Sequence, residues 1–243
     1  MKKIRLLSVI LAFLLLAYLA GMVLFFNPRQ DDLCKDLSIT LQESKNTHFI
    51  SKATLIAALK QAGLYPVGRR MNEINTDKIE TELLRNEILE RVDAYKTPSG
   101  ILRIDVKQKT PIMRVIGPDN NFYIDSQGSL MPTSWRYAVH VPVASGYVRK
   151  ELAITELYEF ALFLQENEFW NNQIEQIYIH PNREVELTPR VGDHLILLGT
   201  FDNFREKLNN LQLFYDQAIP KIGWGKYSII NLKFKNQIVC TKK

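Results

Sequence analysis

Apolar side chains along this chain fall into three patterns: one unbroken run near the amino terminus, stretches that recur every three or four residues, and stretches that alternate. The unbroken run is Leu6 to Phe26, 21 positions without a charged side chain. As a helix it would reach roughly 30 Å, the thickness of a bilayer core. It predicts a transmembrane helix over residues 6–26. A cleaved signal has an apolar core of about 7 to 15 residues and closes on small side chains. This run closes on Val23, Leu24, Phe25 and Phe26, so an uncleaved anchor is expected. Lys2, Lys3 and Arg5 precede it and Asp31 and Asp32 follow it, which predicts a short cytoplasmic tail, residues 1–5, and an exported carboxyl-terminal bulk.

Beyond Pro28 the alternation of Leu33, Leu37, Ile39 and Leu41 predicts a strand with one buried face. Ser51 as N-cap, the spacing of Leu55, Ala58, Leu59 and Ala62, and Gly63 as stop predict a helix over 52–62. Asn75 or Thr76 caps a second helix over 76–86, with Asp77 in its first turn and Ile79 and Leu83 on one face. Val92 and Ala94, then Leu102, Ile104 and Val106, alternate on two strands joined by the turn Thr97-Pro98-Ser99-Gly100. The order strand, helix, helix, strand, strand predicts a small sheet covered by two helices.

From Pro111 the pattern turns β-rich, with Met113 and Val115, Phe122 to Ile124, a turn at Asp125 to Gly128, and Leu130 with Met131. A helix is predicted over 150–166 with Ile154, Leu157, Tyr158, Ala161 and Leu164 on its stripe. Strands follow at 174–180, 184–188 and 194–199. The last helix carries Phe201, Phe204, Leu208, Leu211, Tyr215 and Ala218 before Pro220 stops it. The chain then re-extends as one strand, with Ile230, Leu232, Phe234, Ile238 and Cys240 on its inner side and Asn231, Lys233, Lys235, Gln237 and Val239 on the other. The fold class is α+β, in two exported domains meeting near Lys109 to Pro111.

The formal charge of +5 narrows to 28 basic against 26 acidic residues once the three cytoplasmic cations are set aside. That balance lacks the footprint of a nucleic-acid binder. Cys34 and Cys240 match no metal spacing; pairing in an oxidising compartment and two free thiols are both open, the free thiols favoured. His48, His140, His180 and His194 share no ligand spacing, and no phosphate loop or nucleophile elbow is present, so neither cofactor nor catalysis is expected. Glu90 with Asp93 and Asp119 with Asp125 could pair as the acids of a glycosidase, but read as strand and turn residues. Among the aromatics, Trp170 is expected to plug a core, while Trp135 and Trp224 are open as interface anchors.

The tract MNEINTDKIETELLRNEILERVDAYKTPSGILRIDVKQKTPIMRVI, Met71 to Ile116, resembles the bacterial cell-division family FtsQ, or DivIB, in the form found in Bacteroidetes-like bacteria. FYIDSQGSLMP followed by YAVHVPVASG resembles the opening of that family's β domain, and YSIINLKFKNQIVC its closing strand. The resemblance implies a POTRA domain over 33–108, a β domain over 109–240, and a non-catalytic role bridging division proteins outside the cytoplasm at the septum. It implies FtsB and FtsL as partners and a part in controlling septal peptidoglycan synthesis. In the family the closing strand receives a strand from FtsB, which here falls on Ile229 to Cys240 and on the outward positions Ile229, Asn231, Lys233, Lys235, Gln237 and Val239. The pattern of these side chains departs from the proteobacterial forms. Two alternatives are a POTRA-bearing handler of outer-membrane polypeptides, for which about 130 residues of α+β pattern leave no room for a barrel, and a membrane-tethered wall hydrolase, whose catalytic pair is not found.

Overall fold

The structure, a computed structural model, describes residues 11, 13–22, 33–42, 49–118, 121–133 and 138–243. Helix α1, residues 13–22, belongs to the apolar run, and Phe13, Leu14, Leu15, Leu16 and Leu19 on it are each at least half exposed. Apart from Leu11, the rest of the expected 6–26 span lies outside the described residues. Among the described residues no helix is long and apolar enough to cross a membrane.

The chain forms two compact units. The first is built from the described residues up to Leu41 with Lys52–Arg85 and Arg91–Val106. Its sheet has the order β1-β3-β2, from β1 (Asp36–Gln42), β2 (Leu89–Lys96) and β3 (Ile101–Gln108). The central strand β3 buries Leu102, Ile104 and Val106 completely, as its alternation predicts. Helix α2 (Lys52–Gln61) buries Leu55 and Leu59, and Gly63, at φ 67°, closes it because the left-handed region costs glycine nothing. Helix α3 (Thr76–Leu84) starts where the Asn75 side chain accepts the Lys78 amide at 2.9 Å, and it ends two residues before the predicted Asn86. Leu33 departs from expectation. The first strand starts only at Asp36, and Leu33 is 54% exposed in an isolated bridge to Arg70.

The second unit takes in Gln42–Ser51, Asn86–Glu90 and Lys107–Lys243. It is a nine-stranded sheet of order β12-β11-β10-β9-β8-β7-β4-β5-β6. The strands are β4 (Pro111–Ile116), β5 (Asn121–Asp125), β6 (Leu130–Pro132), β7 (Val143–Gly146), β8 (Ile174–Ile179), β9 (Val185–Pro189), β10 (Leu195–Gly199), β11 (Tyr227–Asn231) and β12 (Val239–Lys242). Neighbours β4 and β7, β7 and β8, and β10 and β11 run parallel, and parallel neighbours need crossovers. The chain between β4 and β7 holds β5 and β6, helices α4 (Lys150–Ala153), α5 (Glu156–Glu166) and α6 (Glu168–Gln173) connect β7 to β8, and α7 (Phe204–Ile222) connects β10 to β11. Their apolar stripes meet the sheet in one core around Phe160, Leu164, Trp170, Ile177, Ile196, Leu208 and Ile230. Full burial of each such side chain contributes about 1.5–3 kcal/mol.

The helix predicted over 150–166 breaks at Ile154 and Thr155. The Thr155 hydroxyl donates back to the Glu151 carbonyl at 2.7 Å, an alternative to the helical ladder, and Ile154 turns out to solvent at 48% exposure. Pro220 does not stop the last helix. It sits in the final turn, where its missing amide forfeits a single bond, and Gly223 at φ 76° ends the helix by donating to the Ile219 carbonyl. The single closing strand over 229–240 is instead a hairpin, described next.

Candidate partner-binding edge

The closing hairpin is laid down in three steps. First, β11 pairs in parallel with β10, Ile229 against Leu195, Ile230 against Ile196 and Asn231 against Leu197, which sends Ile230 and Leu232 into the core. Second, the chain turns. The Asn231 side chain accepts the Lys233 amide at 2.9 Å, Asn236 takes the left-handed region at φ 56°, and Gln237 donates to the Phe234 carbonyl at 3.4 Å. Third, β12 returns antiparallel, Val239 opposite Asn231, Cys240 opposite Ile230 and Thr241 opposite Ile229. Asparagine is one of the few non-glycine residues that visits the left-handed region readily, so the turn needs neither Gly nor Pro.

The turn redistributes the six outward positions. Ile229 and Asn231 lie on β11, Lys233, Lys235 and Gln237 in the connection, and Val239 opens β12. Phe234, expected in the core, is 54% exposed. It lines a groove of about 300 Å³ between the hairpin turn and the start of α7, with Lys233, Gln237, Ile238, Asp202 and Glu206.

Strand β12 ends the sheet, so among the described residues half of its backbone groups face no strand. Which half follows from two bonds. The Lys243 amide donates to the Lys226 carbonyl at 3.3 Å, and the Thr241 carbonyl accepts the Ser228 hydroxyl, also at 3.3 Å. Backbone groups alternate sides along a strand, so Val239, Thr241 and Lys243 face β11 while Cys240 and Lys242 present their N–H and C=O outward. Cys240 ends the segment that the resemblance marks for the partner strand, while Lys242 lies beyond it. The one sequence signal for the turn that precedes them is Asn236, the residue able to turn the chain.

Residues 110–241 match the family described as FtsQ/DivIB, C-terminal related. The chain belongs to the FtsQ/DivIB family. Residues 32–107 match the POTRA-like domain. Thus a POTRA-like domain followed by a β-rich α+β domain is the architecture of this FtsQ/DivIB chain, and family membership carries a role in bacterial cell division. Among solved structures, it is similar to the major extracytoplasmic domain of the trans isomer of the cell-division protein DivIB from Geobacillus stearothermophilus. That likeness has 16% identity, covers 47% of this chain and 98% of that chain, and has a TM-score of 0.32. No curated protein matches.

Within this FtsQ/DivIB chain the closing segment is strongly basic. After Asp216 it holds Lys221, Lys226, Lys233, Lys235, Lys242 and Lys243 and no acidic side chain. Lys233 pairs with Glu184 at 2.6 Å, and its hydrogen bond holds that carboxyl below its ordinary value; Lys243 pairs with Asp193 at 3.2 Å. Lys235 and Lys242 enter no ion pair among the described residues. The opposite end of the sheet is less suited to pairing, because β6 has three residues and closes on Pro132, which lacks a donor.

The residues weighed for catalysis are engaged elsewhere. Glu90 pairs with Lys107 at 2.6 Å and Asp93 with Arg91 at 2.7 Å. Asp125, buried, accepts the amides of Gln127 and Ser129 in its turn. His180 lies 2.9 Å from Glu186, and His194 is buried against Tyr215. Asp119, His48, Trp135 and Tyr137 lie outside the described residues. Trp170 fills the core, as its position at the end of an amphipathic helix predicts, and Cys34 and Cys240 are free thiols.

Proposed function

We propose that this protein is a non-catalytic, membrane-anchored scaffold of the division machinery. In this reading Leu6 to Phe26 hold it in the inner membrane with the bulk outside the cytoplasm, and it captures FtsB- and FtsL-like partners and so takes part in controlling septal peptidoglycan synthesis. The observation that carries the reading is the closing hairpin: its last strand ends the sheet of a division-family domain with the backbone donors of Cys240 and Lys242 turned outward. An extended partner segment completes such an edge by main-chain hydrogen bonds, with alternate side chains choosing the partner. The lysines around it would favour an acidic segment and deter self-pairing of the edge. Ile229, Asn231 and Val239 support the edge from within the hairpin. Lys233, Lys235 and Gln237, at the turn, meet what lies beyond the partner's strand.

The test is co-purification of the full-length chain from its own membranes in mild detergent, followed by identification of bound chains. FtsB- and FtsL-like proteins are expected with the intact chain and absent when residues 239–243 are deleted. Their retention after that deletion, in a chain shown to be folded, would place the partner surface elsewhere.

A further inference from the structure

His194, just before β10, is 4% exposed, and two of its neighbours, on α7 and in the connection from α7 to β11, belong to the segment that leads into the closing hairpin. Its Nε2 lies 2.6 Å from the Tyr215 hydroxyl of α7. The Trp224 indole, in the connection from α7 to β11, stacks on the imidazole with ring planes 7° apart and centroids 6.1 Å apart. On a further side stands Gly192, at φ 96°, where a Cβ would come within 2.6 Å of His194 Nδ1. That approach leaves little room for water to solvate a second ring N–H. Trp224 is itself flanked by Gly223 and Gly225, so its stack on His194 fixes a connection that glycine would otherwise leave loose.

Burial acts most strongly on this ring and disfavours a proton on it. Asp193 favours the charged form and Lys243 opposes it, and these two are paired with each other at 3.2 Å on the surface. Tyr215 is kept protonated by burial, and Cys240 of β12 faces it as a thiol pushed up by burial. Among these neighbours no buried carboxylate is available to neutralise an imidazolium.

We infer that His194 is an acid-sensitive latch at the root of the β11–β12 hairpin: neutral, it clamps Trp224 and holds the hairpin's entry; protonated, it leaves its pocket and frees that entry. The sign follows from burial, which lowers the folded-state value of His194 below its ordinary 6.5. The unfolded or open form therefore binds the proton more tightly, so the clamp is intact above 6.5 and weakens as pH falls from there towards the folded-state value. The consequence for partner capture rests on the reading of β12 given above, whereas the latch itself does not.

The experiment is hydrogen exchange on the full-length chain in detergent micelles without any partner, at about pH 7.5 and about pH 5, which bracket the histidine range. Rates are normalised for the intrinsic pH dependence of exchange. Peptides covering 223–243 are expected to lose protection at the lower pH relative to peptides covering β8 and β9, by about tenfold for each unit that the ring is depressed. In His194→Gln, whose amide still reaches towards Tyr215 and takes no proton, the ratio should stay constant. Equal loss in both proteins, or none in the wild type, overturns the latch. Should His194→Gln fail to fold, the imidazole titration of the wild type by NMR decides: a midpoint at or above 6.5 overturns it, and a lower one supports it. Because no partner is present, failure here leaves the assignment of β12 standing, and failure of that assignment leaves this result unchanged.

Discussion

Asn231 and Val239 face each other across the closing hairpin, and the residues between them turn through Asn236 at φ 56°. The left-handed backbone is tolerable for asparagine and strained for a β-branched residue. Asn236→Val is therefore expected to cost about 1–2 kcal/mol, and Asn236→Gly to leave stability unchanged or slightly raised. Urea midpoints of the two variants check this, and hydrogen exchange should place the loss in residues 227–242.

The hairpin also shows where sequence stops being informative. The alternation of Ile230, Leu232, Ile238 and Cys240 correctly marked four inward side chains, because burial follows from pattern alone. The same alternation runs through Phe234, however, and nothing local distinguishes one long strand from two short ones when the turn residue is asparagine. Helices α2 and α3 were legible for the opposite reason, since Gly63 at the end of α2 and Asn75 at the start of α3 are residues that do specific backbone chemistry. Pro220 and Thr155 misled in turn: a proline in a last turn removes little, and a threonine's back-bond is decided by geometry that spacing does not carry.

Phe49 illustrates a long-range choice of the same kind. In sequence it lies among the residues of the POTRA-like match, yet it packs edge-to-face on Tyr123 at 5.9 Å beside Met131, and its amide donates to the buried Gln108 side chain at 3.0 Å. Phe49→Ala is expected to destabilise the second unit by about 3–5 kcal/mol, as for other buried aromatics. Chemical denaturation of the full-length chain followed by tyrosine fluorescence reads this; an effect under about 1 kcal/mol would mean that Tyr123 and Met131 are covered by other groups.

Gly146 ends β7 at φ 89°, and a Cβ there would lie 2.3 Å from the Ile179 carbonyl of β8. Both the backbone and the clash penalise a side chain in the middle of the sheet. Gly146→Ala is expected to cost about 2–4 kcal/mol. A thermal melt should show it, with Gly21→Ala, which meets no neighbour within 4 Å, as the control that stays unchanged.

Removal of the Tyr215 hydroxyl leaves His194 Nε2, 2.6 Å away in the native protein, without that partner. Tyr215→Phe should destabilise by about 1–3 kcal/mol at neutral pH, the cost of an unsatisfied buried polar group. In the wild type, burial lowers His194, so the melting temperature should be flat above 6.5 and fall as pH drops below it. Calorimetry across that range checks the sign. A wild-type melting temperature that rises on acidification would show that the ring gains rather than loses a counter-charge on folding.

If a partner strand docks on the outward backbone of β12, as proposed, a single proline in β12 should block it. Lys242 is exposed, its amide faces away from β11, and proline there removes that donor without taking a bond from the hairpin. The measurement is the affinity of the full-length chain in detergent for the proposed FtsB-like partner, with Lys242→Ala as the control for side-chain charge and circular dichroism to confirm the fold. Lys242→Pro is expected to weaken binding at least tenfold beyond Lys242→Ala, corresponding to about 1.4 kcal/mol or more for a lost main-chain bond and the steric block beside it. Equal affinity of the two folded variants would contradict the account and show that the partner does not add its strand to β12.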